Sequence, residues 1–296
     1  MKPPVGGQAV IEGVMMQNGD RIAVAVRRQS DGEILVRSIP GRFRFQRLGR
    51  IPFLRGLFRL YDMLSLGLRA LNLSTQLAFP EEEQISRGGT FFTFLFAIVA
   101  AVGVFVVLPL YLTNSISWLQ FGNSLLFNFV EGLIRLAFFF IYLVAISRMK
   151  DIRRVFQYHG AEHKVVYTYE ADEELTVENA RRHTTLHPRC GTAFLMTVFV
   201  IAIVVFSLAG NPALWIKILS RLLLLPVVAG ISYEMLRFSG RNFDRWWVRL
   251  LAKPGLWLQR LTTGEPTDDM LEVAIASLRR ALGTEPEAAN EAPAEA

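Results

Sequence analysis

Four long apolar runs constrain the fold of this chain more than any other feature. They lie at about Phe91–Thr113, Leu125–Ser147, Ala193–Ala209 and Leu214–Leu236. Each is close to the length of about 20 residues that a helix needs to cross the core of a bilayer. The third run is the shortest and the fourth carries Lys217 and Arg221, so a pair of buried core helices is the alternative for these two. The runs predict an α-helical polytopic membrane protein with about four transmembrane helices in two hairpins, and a content of 52% hydrophobic residues agrees.

The charges around these runs predict their orientation. The loop Asn114–Ser124 between the first two runs contains no charged residue. Basic residues cluster before the first run and after the second and fourth runs: Arg42, Arg44, Arg47, Arg50, Arg55, Arg59, Arg148, Lys150, Arg153, Arg154, Arg237, Arg241, Arg245 and Arg249. Because positively charged flanks stay in the cytoplasm, both termini are expected on the cytoplasmic side of the inner (plasma) membrane. The net charge of +6 then reflects contact with the anionic inner leaflet, and no nucleic-acid partner is expected.

The segments outside the apolar runs are predicted to form a small cytosolic α+β portion. Two short strands, Arg21–Val26 and Glu33–Arg37, flank a turn signal and predict an N-terminal β-hairpin. The predicted order is an N-terminal segment with this hairpin (1–50), an amphipathic interfacial helix (51–80), a first transmembrane hairpin (91–147), a cytosolic His/Cys segment (148–192), a second transmembrane hairpin (193–236), a C-terminal helical segment (237–283) and a disordered tail (284–296).

Three patterns refine these segments. The glycine-rich stretch Gly6–Met16 matches no nucleotide-binding fingerprint, so its glycines are interpreted as permitting close packing or a tight turn. Polar residues recur at helical spacing over Ile51–Leu77, which predicts a helix lying in the membrane interface or packed on the cytosolic domain. Acids in the first turn, basic residues in the last and Gly283 as a stop predict a helix at Asp268–Leu282.

All four histidines and the only cysteine lie between His159 and Cys190. The histidines form two i, i+4 pairs, His159/His163 and His183/His187, and on a helix such a pair directs both rings to one point. Imidazole and thiolate are the ligands that zinc prefers, so these five residues are predicted to bind one divalent metal, zinc above others. The alternative is a polar loop whose histidines serve as caps and hydrogen-bond partners.

The first pair fits the H-x-x-E-H pattern, in which Glu162 would act as general base beside a metal held by His159 and His163. Gly160 and the β-rich Val165–Tyr169 argue against a helix at this pair. The second pair has a better helical pattern over Val177–Leu186, with Thr176 as N-cap. Three protein ligands would leave a catalytic position open, whereas four would make a closed structural site, and the sequence is compatible with both.

Charged residues also occur inside the apolar runs. Glu131 and Arg135 are spaced i, i+4 in the second run, which indicates a neutralised pair that locks the helix bundle, or a relay or substrate handle. Lys217 and Arg221 in the fourth run are expected to snorkel toward the interface.

Several stretches resemble one known family. They are Gly6–Met16, Tyr158–Val166, His187–Phe194, Ile231–Arg237 and Pro254–Ile275. Together they are similar to the YqhQ family of bacterial membrane proteins of unknown function, generally described as predicted metal-dependent enzymes. The resemblance implies a membrane protein with a metal site, and it supplies no reaction and no established catalytic residues.

The leading functional expectation is a membrane-embedded, metal-dependent hydrolase that acts on a lipid or membrane-protein substrate at the cytoplasmic face. The alternatives are a non-catalytic assembly factor with a structural metal site and a transporter whose histidines bind or sense the transported species. Four spans make a thin transport pathway unless the chain forms a homo-oligomer, which the sequence leaves open. A di-iron oxygenase is disfavoured because four histidines are too few for two irons ligated mainly by imidazole.

Overall fold

The computed structural model of the protein describes residues 5–41, 51–80, 87–116, 124–208, 210, 213–243 and 245–284. The arginine-rich stretch 42–50 and the predicted tail beyond Thr284 lie outside these residues.

At the N-terminus, four antiparallel strands form a sheet in the order β1-β2-β3-β4. They are β1 (Val5–Val10), β2 (Gly13–Asn18), β3 (Arg21–Arg27) and β4 (Ile34–Pro40). The β3–β4 pair confirms the predicted hairpin. The glycine-rich stretch, expected to form only a turn or a close contact, supplies a second hairpin, β1–β2. Its Gly13 permits close strand approach, because a Cβ there would collide with the Ala25 carbonyl oxygen.

The described helices follow the sheet along the chain. They are α1 (Leu54–Ala78), α2 (Arg87–Val102), α3 (Leu108–Asn114), α4 (Ser124–Ser147), α5 (Lys150–Glu170), α6 (Val177–Arg182), α7 (Gly191–Leu208), α8 (Leu214–Arg241), α9 (Trp246–Thr262) and α10 (Asp268–Leu282). A π-helical turn, Gly103–Val107, joins α2 to α3. The bounds of α10 are those predicted from its caps, and Gly283 ends it in the left-handed conformation with a φ of 78°.

Four stretches of these helices are long and apolar enough to cross a membrane. They are Phe92–Asn114, Ser124–Ser147, Gly191–Leu208 and Leu214–Arg241. The four predicted runs are thus confirmed as helices. In the most apolar windows of the third and fourth, only 17% and 22% of the residues are buried, so these two are not core helices. Their large side chains, such as Leu208 and Trp215, are exposed, which suits an apolar solvent rather than water.

The sheet is buried on both faces, because side chains alternate across a strand. Met16 faces a core shared with Tyr158 of α5 and Leu271 of α10. The neighbouring Met15 faces the other core, which includes Leu66 of α1. The result is a layered helix–sheet–helix unit, which we call the sheet domain. It lies at the end of the apolar helices where α4 passes into α5.

Helix α1 packs on the sheet domain, which is the second of its two predicted arrangements. Leu66 and Ala70 are buried against the strands. On other sides of the same helix, Tyr61, Leu64 and Leu68 are exposed. An apolar face of α1 is therefore left available to a membrane surface.

The structure corrects the expectation that Gly160 and Val165–Tyr169 disfavour a helix. Helix α5 runs through the first histidine pair without a break. Val165 is fully buried in the core of the sheet domain, so packing overrides the local preference of its residue type. Gly160 is needed for close contact, because a Cβ there would collide with the carbonyl oxygen of Gly264 in the crossing segment between α9 and α10.

The second predicted helix is shorter than expected. The hydroxyl oxygen of Thr176 accepts a hydrogen bond from the Asn179 N–H at 3.3 Å, which confirms the predicted cap. The helix ends at Arg182, and His183 has an extended backbone. The second histidine pair therefore does not share a helix face.

The expectation that Lys217 and Arg221 snorkel is also wrong. Both side chains are buried, with residue exposures of 3% and 1%. A guanidinium nitrogen of Arg221 lies 3.5 Å from the carboxylate of Glu131. Glu131 also forms the predicted ion pair with Arg135. Partners inside the bundle therefore hold the charges that would otherwise move to the interface.

Candidate metal centre

The first histidine pair lies on one face of α5, and the packing of this helix fixes its direction. The ring centroids of His159 and His163 are 4.4 Å apart. Tyr158 and Val165, on either side of the pair in sequence, are buried against the strands and α10. Rotation of the helix would expose these apolar side chains, so the histidines are directed away from the sheet core.

A backbone carbonyl orients each imidazole ring. The Nδ1–H of His159 donates to the carbonyl oxygen of Thr262 at 2.8 Å. The Nδ1–H of His163 donates to the carbonyl oxygen of Thr185. Since a carbonyl only accepts, both rings carry their proton on Nδ1 when neutral, and each Nε2 atom then has a lone pair that can bind a metal. This is the usual second contact of a metal-bound histidine.

Cys190 directly precedes α7, and its sulfur lies beside the two imidazole rings. Its Sγ lies 3.2 Å from Nε2 of His159. The N–H of Thr192, in the first turn of that helix, lies 3.4 Å from the sulfur. The thiolate is the form in which a cysteine binds metals.

Three ligand atoms therefore converge. One atom each from His159, His163 and Cys190 all lie within 4.8 Å of one another. Within the part of the chain that the structure describes, Nε2 of His163 is buried without a hydrogen-bond partner. Burial lowers the pKa of His163, which keeps the ring neutral and able to coordinate. We call these three residues the His/Cys cluster.

Glu162 lies beside the cluster. One of its carboxylate oxygens is 4.0 Å from Nε2 of His159 and 3.6 Å from Nε2 of His163. Burial raises the pKa of Glu162, while the charges of His159 and His187 and the N–H of Gly7 act in the opposite direction. A buried carboxylate at this distance can accept a proton or complete a metal's coordination.

Gly7 of β1 is a site residue that the sequence pattern did not single out. A Cβ at this position would lie 2.8 Å from Cγ of Glu162 and would also collide with the Met15 carbonyl oxygen. The glycine therefore allows an edge strand to lie directly against the carboxylate. The only sequence signal was the pair of glycines at the start of β1, which close packing explains equally well.

His187 is adjacent to the cluster but uses both ring nitrogens elsewhere. Its Nε2 lies 3.4 Å from a carboxylate oxygen of Glu170, and its Nδ1 accepts from the N–H of Arg189 at 3.3 Å. The amide of Gln259, a second residue missed from sequence, bonds the His187 backbone N–H and carbonyl at 2.8 Å each. These contacts hold His187 in one position beside the cluster.

His183 lies outside the cluster. Its Nε2 is 3.0 Å from a carboxylate oxygen of Glu173, and its ring stacks on Tyr167 with centroids 5.9 Å apart. Of the five predicted ligands, the structure therefore brings together His159, His163 and Cys190, and leaves His183 and His187 with other partners.

The chemistry of the three ligand atoms favours one group of metals. Two neutral imidazoles and a thiolate suit zinc and other borderline cations, and they suit magnesium and calcium poorly. Except for the partly exposed His159, the donors are buried, with exposures of 2% for His163 and 8% for Cys190. A cation held here would be screened from bulk water.

Fold and site together define a class of protein: four apolar helices of membrane-spanning length, a small sheet domain and a buried His/Cys cluster between them. The chain belongs to the family described as "Protein of unknown function (DUF1385)", whose model matches residues 51–284. It is 35% identical over 300 residues to the uncharacterised protein YqhQ of Bacillus subtilis (strain 168), which covers 96% of this chain and 93% of the relative. No solved structure matches the chain. These matches confirm the family that the sequence resembles, and they assign it no activity.

Proposed function

We propose that the protein is a multi-pass membrane protein that binds one divalent metal, zinc, through His159, His163 and Cys190. The observation that carries this proposal is the fixed orientation of both rings. Each Nδ1–H is held by a backbone carbonyl, so that both Nε2 atoms face the sulfur of Cys190. Among the described residues, the buried Nε2 of His163 has no hydrogen-bond partner, which is unusual in a network that serves structure alone.

The proposed membrane arrangement is that of the plasma membrane, with both termini and the sheet domain in the cytoplasm. The arginines that follow α4 and α8 support it, because they cluster at the sheet-domain end of the apolar helices. The cluster then lies at the membrane face, since Cys190 directly precedes α7. Trp246 and Trp257 of α9 are exposed, as expected for an interfacial helix.

The activity that we propose is hydrolysis of a lipid or membrane-protein substrate at this face. His159, His163 and Cys190 would hold the zinc, and a zinc with three protein ligands would supply an activated water, since zinc can lower the pKa of water to about 7. Glu162 is placed to accept one proton from the attacking water and to return it to the leaving group, so that one bond is hydrolysed and no redox partner is needed.

The second candidate is a structural metal site in a non-catalytic assembly factor. Burial favours it, since Glu162 is only 7% exposed and could itself be the fourth ligand. The site also joins separate parts of the chain: α5, the segment before α7, and the end of α9 through Thr262. A metal there would fix the sheet domain to the apolar helices.

Glu162→Gln separates the two candidates, because it keeps the shape of the side chain and removes the base. If the protein is a hydrolase, the variant should retain its zinc and its melting temperature but fail to complement a deletion strain. Loss of zinc or of folding would support the structural site. Full complementation by a folded variant would exclude Glu162 as a catalytic base.

The metal content of the purified full-length protein tests the metal site itself. We expect about one zinc per chain, lost in the His159→Ala/His163→Ala double variant. His183→Ala is the matched control, since it removes a histidine outside the cluster and should leave the zinc content unchanged.

A further inference from the structure

A second buried polar cluster lies inside the apolar bundle, in the half remote from the sheet domain. Glu131 and Arg135 come from α4, and Lys217 and Arg221 from α8. Arg221 and Glu131 each lie about two helical turns from the remote end of their helix, or roughly 10 Å at 1.5 Å per residue. We call these four residues the bundle charge cluster.

The charges in this cluster do not balance. Three basic side chains surround one carboxylate, which leaves an excess of two positive charges among the described residues. The neighbouring connecting segments 117–123 and 209–213 contain no acid in their sequence. Unpaired cations are costly in a medium of low dielectric constant, so an anion is needed to complete the site.

The cluster also has free donors. Arg221 uses one terminal nitrogen for Asn128 and Glu131. Its Nε and other terminal nitrogen are buried without a hydrogen-bond partner in the described residues, as is Nε of Arg135. The two guanidinium carbons lie 4.6 Å and 5.0 Å from the centroid of the Phe206 ring, so both groups are held in fixed positions. Several directed N–H groups suit an oxyanion with several acceptor oxygens.

The cluster extends toward the remote end of the bundle. Lys217 lies there, with its Nζ 4.0 Å from the Phe127 ring centroid and 3.3 Å from the side-chain oxygen of Asn114. Asn114 is partly exposed at the end of α3. A cation one helical turn before Arg221 can therefore draw an anion inward.

We propose that the bundle charge cluster binds a phosphate-type oxyanion, with Arg221 and Arg135 as hydrogen-bond donors and Lys217 as a further cation one helical turn before Arg221. The phosphate is that of a lipid headgroup or free inorganic phosphate, which offer the same chemistry to these donors. The site is separate from the His/Cys cluster and does not depend on the metal.

The test uses delipidated full-length protein in non-ionic detergent. Equilibrium dialysis with radiolabelled inorganic phosphate measures the free anion, and native mass spectrometry with phosphatidylglycerol or phosphatidylcholine measures the lipid. We expect one saturable site per chain for phosphate or for phosphatidylglycerol. The probe that binds saturably shows whether the bound phosphate is free or belongs to a lipid headgroup. Arg221→Gln should weaken binding about tenfold or more, since it removes charged donors.

Two further variants provide a control and test whether binding increases with the positive charge of the cluster. Arg241→Gln removes the same charge from the exposed last turn of α8 and should leave binding unchanged. Glu131→Gln raises the excess positive charge, so the fraction of this variant that folds should bind the anion more tightly. Where Arg221→Gln does not fold, Lys217→Gln takes its place with the same expectation.

Retention of binding in the His159→Ala/His163→Ala variant excludes a zinc-bound phosphate as the source of the signal. The proposal is overturned if neither probe binds saturably to the folded wild-type protein. It is equally overturned if Arg221→Gln, or its folded replacement, binds as tightly as Arg241→Gln.

Discussion

The His/Cys cluster and the bundle charge cluster bury polar groups in opposite ways. The first collects imidazoles whose Nδ1–H groups are bonded to backbone carbonyls, so the lone pairs of the Nε2 atoms are available as acceptors. The second collects charged groups, and several of its N–H donors have no hydrogen-bond partner in the part of the chain that the structure describes. A site with free acceptors calls for a cation, and a site with free donors calls for an anion. The two regions are therefore distinguished by whether their available groups are donors or acceptors, more clearly than by their residue types.

The largest effect is expected in the bundle charge cluster. Glu131→Ala leaves Arg135 and Arg221 without their shared carboxylate, and removing one partner of a buried pair costs about 3–5 kcal/mol of the free energy of unfolding. We predict a large fall in the yield and melting temperature of the purified protein.

The double variant Glu131→Ala/Arg135→Leu is the control for this prediction, because it removes the stranded charge together with its partner. It should recover part of the lost stability. If the single variant is as stable as the wild type, the carboxylate does not hold these cations.

A moderate effect is expected from Gly160→Ala beside the His/Cys cluster. The added methyl group collides with the Gly264 carbonyl oxygen, and overpacking of this kind costs about 1–3 kcal/mol of the free energy of unfolding. Because the same crossing segment follows Thr262, which orients His159, zinc affinity should fall as well.

Gly103→Ala is the matched control, since no described atom of another part of the chain lies within 4 Å of a Cβ at that glycine. A thermal melt and a zinc titration compare the two variants. Equal behaviour of both would contradict the close approach described for Gly160.

Gly160 also shows what the sequence could not predict. The spans and the C-terminal helix followed from hydropathy and caps, and spacing indicated that His159 and His163 share a helix face, with Cys190 one of three further candidate ligands. These signals are local. The glycines and Gln259 act through residues distant in sequence, and a single chain does not reveal such partners. For the same reason, Lys217 and Arg221 looked able to snorkel until their partners on α4 were known.

The smallest effect is expected from Glu170, which contacts His187 beside the His/Cys cluster. Burial raises the pKa of Glu170, but the hydrogen bond from His187 and the interaction with Arg189 outweigh it and hold the pKa below its ordinary value. A carboxyl with a lowered folded-state pKa stabilises the protein above its unfolded pKa of about 4.3, and this contribution is lost as the pH falls through the folded-state pKa.

The melting temperatures of wild type and Glu170→Gln should therefore differ at pH 7 and converge below about pH 4. The exposed ion pair between Glu178 and Arg182 offers a comparison. Glu178→Gln should change the melting temperature little at any pH. A constant difference between wild type and Glu170→Gln across the titration would contradict the assignment.

Cobalt substitution tests the central claim most directly, because a cobalt ion reports its own ligands. Purified apo-protein titrated with Co²⁺ should reach a ratio of one per chain, with the visible spectrum of a tetrahedral ion and a thiolate charge-transfer band. The band should be absent in Cys190→Ser and the tetrahedral spectrum weakened in His163→Ala, while His183→Ala should match the wild type. Absence of stoichiometric binding, or a spectrum unchanged in Cys190→Ser, would contradict a metal centre at the His/Cys cluster.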